Sequence, residues 1–125
     1  MTKNEFARRK SPFTELVGIK TVGQGKQFQL KVQKKHTNSH GYAHGGAIFS
    51  LADRAFACAV NTPGKISVAM EMKINYLSPV AIGDVLVARA KVIKEGKRTT
   101  VCLIEIKRKS ELVAMVLATS FNVKH

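Results

Sequence analysis

The stretch that decides the fold runs from His44 to Asn61 and reads HGGAIFSLADRAFACAVN. Its Ala and Leu content and the absence of proline before Pro63 predict one helix of about five turns, roughly 27 Å long. Gly45 and Gly46 stand at its start. Backbone N–H groups there have no partner inside the helix, and the missing Cβ lets a ligand approach them. The Asn-Thr-Pro-Gly sequence that starts at Asn61 ends the helix.

The few polar side chains of this helix are predicted to share one stripe of a mostly apolar surface. They are Ser50, Asp53, Arg54 and Asn61. Apolar residues on nearly all other sides indicate a buried helix. A carboxylate in such surroundings is costly unless it is hydrogen-bonded, paired or at a wet edge. Asp53 is therefore the first candidate for chemistry, and a partly solvated helix aspartate is the alternative.

Length and composition predict a single domain over residues 1–125. The 125 residues are 45% hydrophobic, enough for a compact chain to bury about two-thirds of its unfolded surface. Cys58 and Cys102 lie in apolar runs and are expected to pack as small hydrophobic residues in a reducing compartment. The chain opens without an apolar signal region, and no run approaches the ~20 apolar residues of a membrane span. We expect a cytoplasmic protein with no membrane partner.

The chain is strongly basic. Its 21 Lys and Arg against 8 Asp and Glu give a net charge of +13, which attracts anionic partners such as nucleic acid, an anionic membrane surface or a phosphorylated small molecule. The charges cluster at residues 34–35, 94–98 and 107–109. No cluster is interleaved with aromatic residues, which disfavours a stacking surface for nucleic acid.

Strands are predicted on both sides of the helix. After a short helix that ends before Ser11, the run from Phe13 to Val22 predicts a strand, and Phe28 to Val32 alternates apolar and polar residues with period two. These two runs, joined by a glycine-bearing turn, predict a hairpin. Later strands are predicted at residues 67–77, 85–93, 99–106 and 112–123. In the first of these, period two places Met70, Met72, Ile74 and Tyr76 on one face and Ala69, Glu71, Lys73 and Asn75 on the other.

One helix and five or six strands predict a wrapped α+β fold. Consecutive hairpins indicate an antiparallel sheet, and a single helix covers that many strands at ~4.8 Å spacing only if the sheet curls around it. We therefore expect one long central helix wrapped by a curved sheet of five or six strands. The remaining edge strands predict self-association as a dimer or tetramer.

The loop and helix carry a spaced motif. Asn38, Gly41, the His44-Gly45-Gly46 triplet and Asp53 follow the order Asn, two residues, Gly, two residues, His-Gly-Gly, with an Asp nine positions after the His. This pattern resembles the hotdog-fold acyl-CoA thioesterases of the phenylacetate-pathway branch. The run from Ile74 to Pro79 and the Gly83-Asp84 pair are also similar to that branch. The resemblance implies the hotdog fold, an acyl-CoA substrate and hydrolysis that needs no cofactor beyond water.

The resemblance also implies roles for individual residues. The Gly45 N–H would polarise the thioester carbonyl, beside Gly46 in the substrate site. Asp53 would act as nucleophile or as general base, a choice that the sequence leaves open. Asn38 and His44 would position substrate or water, or would only brace the loop and cap the helix.

Two departures from the family pattern concern the rest of the site. A second subunit usually supplies a Ser or Thr from the strand after the helix; Ala69 stands at that position, and Ser67 on the same strand face is the replacement considered. Many relatives carry a basic residue where this chain has Ser78. The phosphate contacts are then expected from Lys94, Lys97 and Arg98, whose alternative is a solvated basic turn.

Competing functions remain at this level. His36, His40 and His44 recur every four residues, but the Asn, Ser and Gly between them indicate a loop, so no metal site is predicted. A non-catalytic acyl-CoA sensor that binds DNA would need a DNA-reading module, and the ten residues before Ser11 are too few for one. A hotdog hydratase or dehydratase would need an acid/base set other than Asp53 alone.

Overall fold

The computed structural model describes residues 6, 7 and 9–124, with the side chain of residue 124 excepted. The short helix predicted before Ser11 falls largely outside these residues. The elements in chain order are α1 (Pro12–Val17), β1 (Lys20–Val22), β2 (Gln27–Lys31), α2 (Gly45–Val60), β3 (Ile66–Tyr76), β4 (Val85–Glu95), β5 (Thr99–Arg108) and β6 (Glu111–Lys124). Two 3₁₀ turns, Gly23–Gly25 and Lys34–His36, precede β2 and the loop to α2.

The six strands form one antiparallel sheet in the order β1-β2-β4-β5-β6-β3. Helix α2 lies across it and buries Leu51, Ala52 and Phe56 completely or nearly so. The strands supply the facing apolar layer with their alternate residues, as the period-two patterns predict. The predicted α+β hotdog architecture, with one long helix wrapped by the sheet, is confirmed. No helix of the described residues is long and apolar enough to cross a bilayer.

The strand predicted from Phe13 to Val22 is wrong for most of its length. Residues Pro12–Val17 are helical, and only Lys20–Val22 forms a strand, which still pairs with β2 as the predicted hairpin. The Ser11 side chain accepts a hydrogen bond from the Thr14 N–H at 3.3 Å, and Gly18, with φ of 90°, ends the helix. A helix cap, a proline at the first helical position and a left-handed glycine therefore outweigh the apolar pattern.

The predicted faces of β3 are also wrong in part, because the strand contains a bulge at Met70. Ala69 lies opposite Ser120, Glu71 lies opposite Thr119, and Met70 falls between the two pairs without a partner. The extra residue reverses the alternation. Since Ser120 is buried on the α2 side of the sheet, Ala69 belongs to the α2 side with Met72, and Met70 is 62% exposed.

Strand β3 is an open edge of the sheet. It is 11 residues long, and among the described residues only β6 pairs with it. Its exposed apolar side chains include Ile66, Val68 and Met70. A long apolar edge with unpaired backbone groups favours association with another strand, so the dimer or tetramer stays a prediction with a defined surface.

Candidate functional site

The loop before α2 is folded by Asn38. Its side-chain oxygen accepts the N–H groups of His40 at 2.9 Å and Tyr42 at 3.2 Å. Its backbone N–H donates to the Tyr42 carbonyl at 2.8 Å, and Gly41 takes a φ of 83° to close the turn. Asn38 therefore braces this loop in the single chain, and the braced loop delivers His44 to the start of the helix.

The N-terminus of α2 keeps one backbone donor open. His44 is the N-cap, and its Nδ1 accepts the Gly46 N–H at 2.8 Å. The Ala47 N–H donates to the His44 carbonyl. Among the described residues, no acceptor binds the Gly45 N–H. The cap thus occupies the Gly46 donor and leaves the Gly45 donor without a partner among the described residues.

Tyr76 packs against this helix start, and sequence reasoning missed it as a site residue. Its hydroxyl donates to the Gly45 carbonyl at 2.8 Å, and partial burial raises its pKa. A Cβ at Gly45 would lie 2.9 Å from the Tyr76 hydroxyl oxygen, and a Cβ at Gly46 would lie 3.0 Å from His44 Nδ1. A Cβ at either glycine would therefore force the neighbouring side chain to shift. The signals in the sequence were the position of Tyr76 at the end of a long strand and its place in the run from Ile74 to Pro79 that is similar to the thioesterase branch.

Beside Gly45 lies a depression of about 440 Å³. Asn38, Tyr42 and Gly45 line one side, and Tyr76 to Val80 line the other. The far wall is braced by Arg108, which donates to the Pro79 carbonyl at 3.1 Å and pairs with Asp84 at 2.7 Å and Glu111 at 2.6 Å.

The Arg108 brace also accounts for Ser78 and for two shifted pKa values. The Ser78 hydroxyl donates to Glu111 at 2.9 Å. The pKa of Asp84 is lowered by the Ala81 N–H and then by Arg108, and the pKa of Glu111 is lowered by Arg108 and then by Ser78. Arg108 is thus paired within the chain, although the sequence grouped it with an open basic cluster.

Asp53 lies eight residues after Gly45 on α2, about 12 Å further along the helix axis. Its carboxylate is exposed and has no hydrogen-bond or ion-pair partner among the described residues. The surrounding protein atoms nonetheless exclude enough water to raise its pKa, an effect that the neighbouring Arg54 partly opposes. An unpaired carboxylate with a raised pKa is a candidate for catalysis, but one chain does not bring it to Gly45.

The other polar side chains of the predicted stripe are hydrogen-bonded or buried within the chain. The buried Arg54 donates to the carbonyls of Ala7 at 3.0 Å and Arg9 at 3.2 Å. The Ser50 hydroxyl donates to the Gly46 carbonyl at 2.7 Å, and Asn61 is buried at the end of the helix. The stripe therefore leaves Asp53 as its free charged group.

The predicted substrate residues that follow the helix lie at its opposite end. Ser67 is buried, and its hydroxyl donates to the Asn122 side chain. Asn122 in turn donates to the carbonyls of Lys97 and Arg98, each at 2.8 Å. This basic turn therefore lies near the C-terminus of α2, which is roughly 24 Å long over its 16 residues.

Lys94 and Ala69 complete the set of predicted substrate residues. Lys94 follows a bulge in β4 just before the same turn, and Ala69 lies exposed on the β3 edge. Neither borders the depression beside Gly45. The structure therefore brings together Asn38, His44, Gly45 and Gly46 and separates them from Asp53 and from the substrate residues after the helix.

A family model described as Thioesterase superfamily matches residues 40–115, more than half of the chain. The chain belongs to the thioesterase superfamily. Acyl-coenzyme A thioesterase PaaI of Escherichia coli is 37% identical over 111 residues, which cover 86% of this chain and 79% of that protein. The predicted resemblance to the phenylacetate-pathway branch is confirmed.

Other relatives agree with this thioesterase membership. A relative from Archaeoglobus fulgidus is 41% identical over 96 residues, 76% of this chain and 62% of its own length. The solved structure of the E. coli PaaI protein matches with a TM-score of 0.85 at 34% identity and covers 91% of this chain and 86% of its own. The protein smu.793 of Streptococcus mutans, solved bound to acetyl CoA, has a TM-score of 0.74 at 28% identity and covers 78% and 80%.

His36 and the two cysteines have structural roles. The His36 ring donates through Nε2 to the Val17 carbonyl at 2.6 Å and accepts the Gln33 N–H at Nδ1, so both ring nitrogens are used. Within the part of the chain described, no three His, Cys, Asp or Glu residues are grouped to hold a metal. Cys58 and Cys102 are buried as predicted, and burial raises the pKa of Cys58 to about 11, which keeps its thiol protonated.

Proposed function

We propose that the protein is an acyl-coenzyme A thioesterase whose site combines the N-terminus of α2 with Asp53 of a second copy of the chain. The observation that supports this proposal is the unpaired Asp53 carboxylate. It is exposed on the same helix that presents the open Gly45 N–H. The reaction adds water to the thioester carbonyl and releases the free acid and coenzyme A. The acetyl CoA bound by the S. mutans relative supports this class of substrate.

The Gly45 N–H is suited to the developing negative charge. In thioester hydrolysis the carbonyl oxygen becomes an oxyanion in the transition state, and a fixed N–H donor stabilises it without reorganisation. The positive end of the α2 dipole adds to this effect. The Tyr76 hydroxyl and the His44 ring hold the helix start around this donor, so we assign them positioning roles.

Two copies are needed because of the distance along the helix. Reacting atoms must approach within about 3–3.5 Å, whereas Gly45 and Asp53 of one chain are about 12 Å apart along the axis. If two α2 helices pack antiparallel about a twofold axis near Phe49, halfway between them in sequence, each Asp53 faces the Gly45 of the other copy. The open β3 edge offers the surface for this pairing.

The same arrangement gives a role to the basic turn. In an antiparallel pair, the C-terminal end of one α2 lies beyond the N-terminal end of the other. The second copy's Lys94, Lys97 and Arg98 would then stand near the depression beside Gly45, where the phosphates of coenzyme A leave the site. We assign these three residues to phosphate binding across the dimer.

Asp53 acts in its ionised form, either as nucleophile, forming a mixed anhydride that water then hydrolyses, or as general base on a water. Ala69 offers no hydroxyl, and the Ser67 hydroxyl is committed to Asn122. We therefore assign no catalytic hydroxyl to β3.

The test is thiol release from a panel of acyl-coenzyme A esters by wild type and Asp53→Asn. We expect the substitution to lower kcat by about 10²–10⁴-fold and to leave the oligomer intact. Glu105→Gln is the matched control, since it removes an exposed carboxylate from β5, away from the β3 edge, and should leave kcat within about twofold. Asp53→Asn with near wild-type kcat would remove Asp53 from the mechanism.

Ala69 favours one second candidate, a protein that binds acyl-coenzyme A without hydrolysing it. In that case the wild type would release no thiol from any ester while binding acyl-coenzyme A at micromolar concentration. Turnover abolished by Asp53→Asn excludes this candidate.

A further inference from the structure

A second depression, about 520 Å³, lies on the other side of the α2 N-terminus, between α1 and the first turns of α2. We call it the α1 groove. Its lining includes Phe13, Leu16 and Val17 from α1, with His44, Ala47 and Ser50 from the other side. It shares the His44 cap with the Gly45 site and has a more apolar lining than the depression beside Tyr76.

Helix α1 is held in place by polar contacts and by Val17, which is partly buried against the core, and none of its residues is fully buried. The Val17 carbonyl accepts from the buried His36 ring at 2.6 Å, and the Leu16 carbonyl accepts from Lys35 at 3.4 Å. The His36 carbonyl also accepts the His44 N–H at 2.7 Å. One residue therefore fixes both α1 and the cap of α2, which gives the groove a defined position relative to Gly45.

The apolar side chains of α1 are left open to solvent in the single chain. Phe13 is 61% exposed and Leu16 is 72% exposed. They are three positions apart and so share one side of the helix. Large apolar groups that border a groove next to a candidate site are typical of a surface that is covered by a hydrophobic ligand.

We propose that the α1 groove holds the acyl group of the substrate and that Phe13 and Leu16 select hydrophobic acyl groups larger than acetyl. This inference rests on the proposed function. A thioester carbonyl at the Gly45 N–H would have one depression on each side. The more polar one, with Asn38, Tyr76 and Ser78, suits the amide-containing arm of coenzyme A, and the α1 groove suits the acyl arm.

The test measures binding apart from hydrolysis. In an Asp53→Asn background, calorimetry gives the Kd of octanoyl-coenzyme A and of acetyl-coenzyme A for the parent, Phe13→Ala and Leu16→Ala. We expect each truncation to weaken octanoyl-coenzyme A about tenfold relative to acetyl-coenzyme A, because it removes apolar contact with the longer chain. Leu117→Ala is the control, since Leu117 is exposed on the sheet face away from α2 and should leave the ratio unchanged.

Steady-state kinetics with chains that keep the wild-type Asp53 then separates this inference from the proposed function. Phe13→Ala and Leu16→Ala should raise KM for octanoyl-coenzyme A more than they lower kcat. A thioesterase whose octanoyl to acetyl ratio is unchanged by both substitutions would overturn the groove assignment alone. A change in oligomeric state caused by either substitution would also overturn it, because a second copy would then be the occupant. Absence of turnover by the wild type would overturn the proposed function, and the binding ratio would still decide the occupant of the groove.

Discussion

The two ends of α2 handle their polar groups in opposite ways. At the C-terminal end, the Asn61 side chain donates to the carbonyls of Ala57 and Ser67 and accepts the Ser67 N–H, and Asn122 binds the Ser67 hydroxyl. At the N-terminal end, the Gly45 N–H has no acceptor among the described residues. Buried polar groups without partners are costly, so a closed network indicates a structural role and an open, solvent-facing donor indicates a ligand site.

The two ends of α2 also differ in how closely side chains pack around their glycines. We call the N-terminal end, at Gly45 and Gly46, the open end and the C-terminal end, at Asn61, the closed end. Tyr76 and His44 approach the two glycines so closely that a Cβ would meet them. Gly64 lies just after the helix, and no atom of the described residues comes within 4 Å of a Cβ placed there. Side chains therefore pack closely against the backbone at the open end, although the residues there are not fully buried. A donor whose position is set this closely is preorganised for one ligand geometry.

The largest effect that this comparison predicts is for Gly45→Ala. The new Cβ would displace the Tyr76 hydroxyl and shift the helix start, and we expect kcat/KM for acyl-coenzyme A to fall about 10²-fold. Gly64→Ala is the matched control and should leave kcat/KM unchanged. Circular dichroism of both variants should match wild type. If Gly45→Ala retained wild-type activity, the tight packing at the open end would have no part in catalysis.

Mixed oligomers test whether the open end works with the middle of another α2. Asp53→Asn and Gly45→Ala chains, each nearly inactive, are unfolded and refolded together in equal amounts. Half of the resulting dimers are mixed, and each mixed dimer regains one of two sites, so about a quarter of wild-type activity should return. A mixture as inactive as its parents would place Gly45 and Asp53 of a single chain in the same site.

A substitution at the closed end should lower the free energy of unfolding and leave kcat unchanged. Asn61→Ala leaves the buried Ser67 backbone groups without partners, and we expect a loss of about 2–3 kcal/mol in the free energy of unfolding, measured in urea at fixed protein concentration. The Asn75→Ala control removes an exposed amide from β3 and should cost less than about 0.5 kcal/mol. A stable Asn61→Ala variant with low kcat would assign the closed end to catalysis.

The smallest effect concerns the pH dependence of stability at Asp53. Its pKa is raised in the folded chain by desolvation, so the folded state holds this proton more tightly than the unfolded state, and ionisation of Asp53 disfavours folding. The penalty is absent below the ordinary pKa of an aspartate and develops as pH rises through the raised pKa. Asp53→Asn should therefore have a slightly higher urea midpoint than wild type at pH 7 and an equal one at pH 3. An equal or lower midpoint at pH 7 would contradict the raised pKa.

Some parts of the fold and site could be predicted because their signals are local. The long run from Gly45 to Val60 carries its own start and stop residues, and the alternation in β2 identifies its buried face. The spacing from Asn38 to Asp53 identified the family. The strand predicted from Phe13 failed because the cap at Ser11 and the glycine at position 18 decide a short helix against its apolar pattern.

Other features depend on contacts between residues distant in sequence. Period two cannot locate the bulge at Met70, because only the register against β6 fixes it. Tyr76 reaches Gly45 across 31 residues, and Ser67 is closed off by Asn122 from the other end of the chain.

The sequence by itself determined the central helix, the wrapped sheet and the family, and it predicts the two groups proposed for the chemistry, the Gly45 N–H and the Asp53 carboxylate. These follow from capping, periodicity and residue type, which act over a few positions. Tertiary structure alone decided which polar groups remain available and that Gly45 and Asp53 lie about 12 Å apart along one helix. The physical reason is that hydrogen-bond satisfaction and distance are properties of the packed chain, since partners come from wherever the fold brings them.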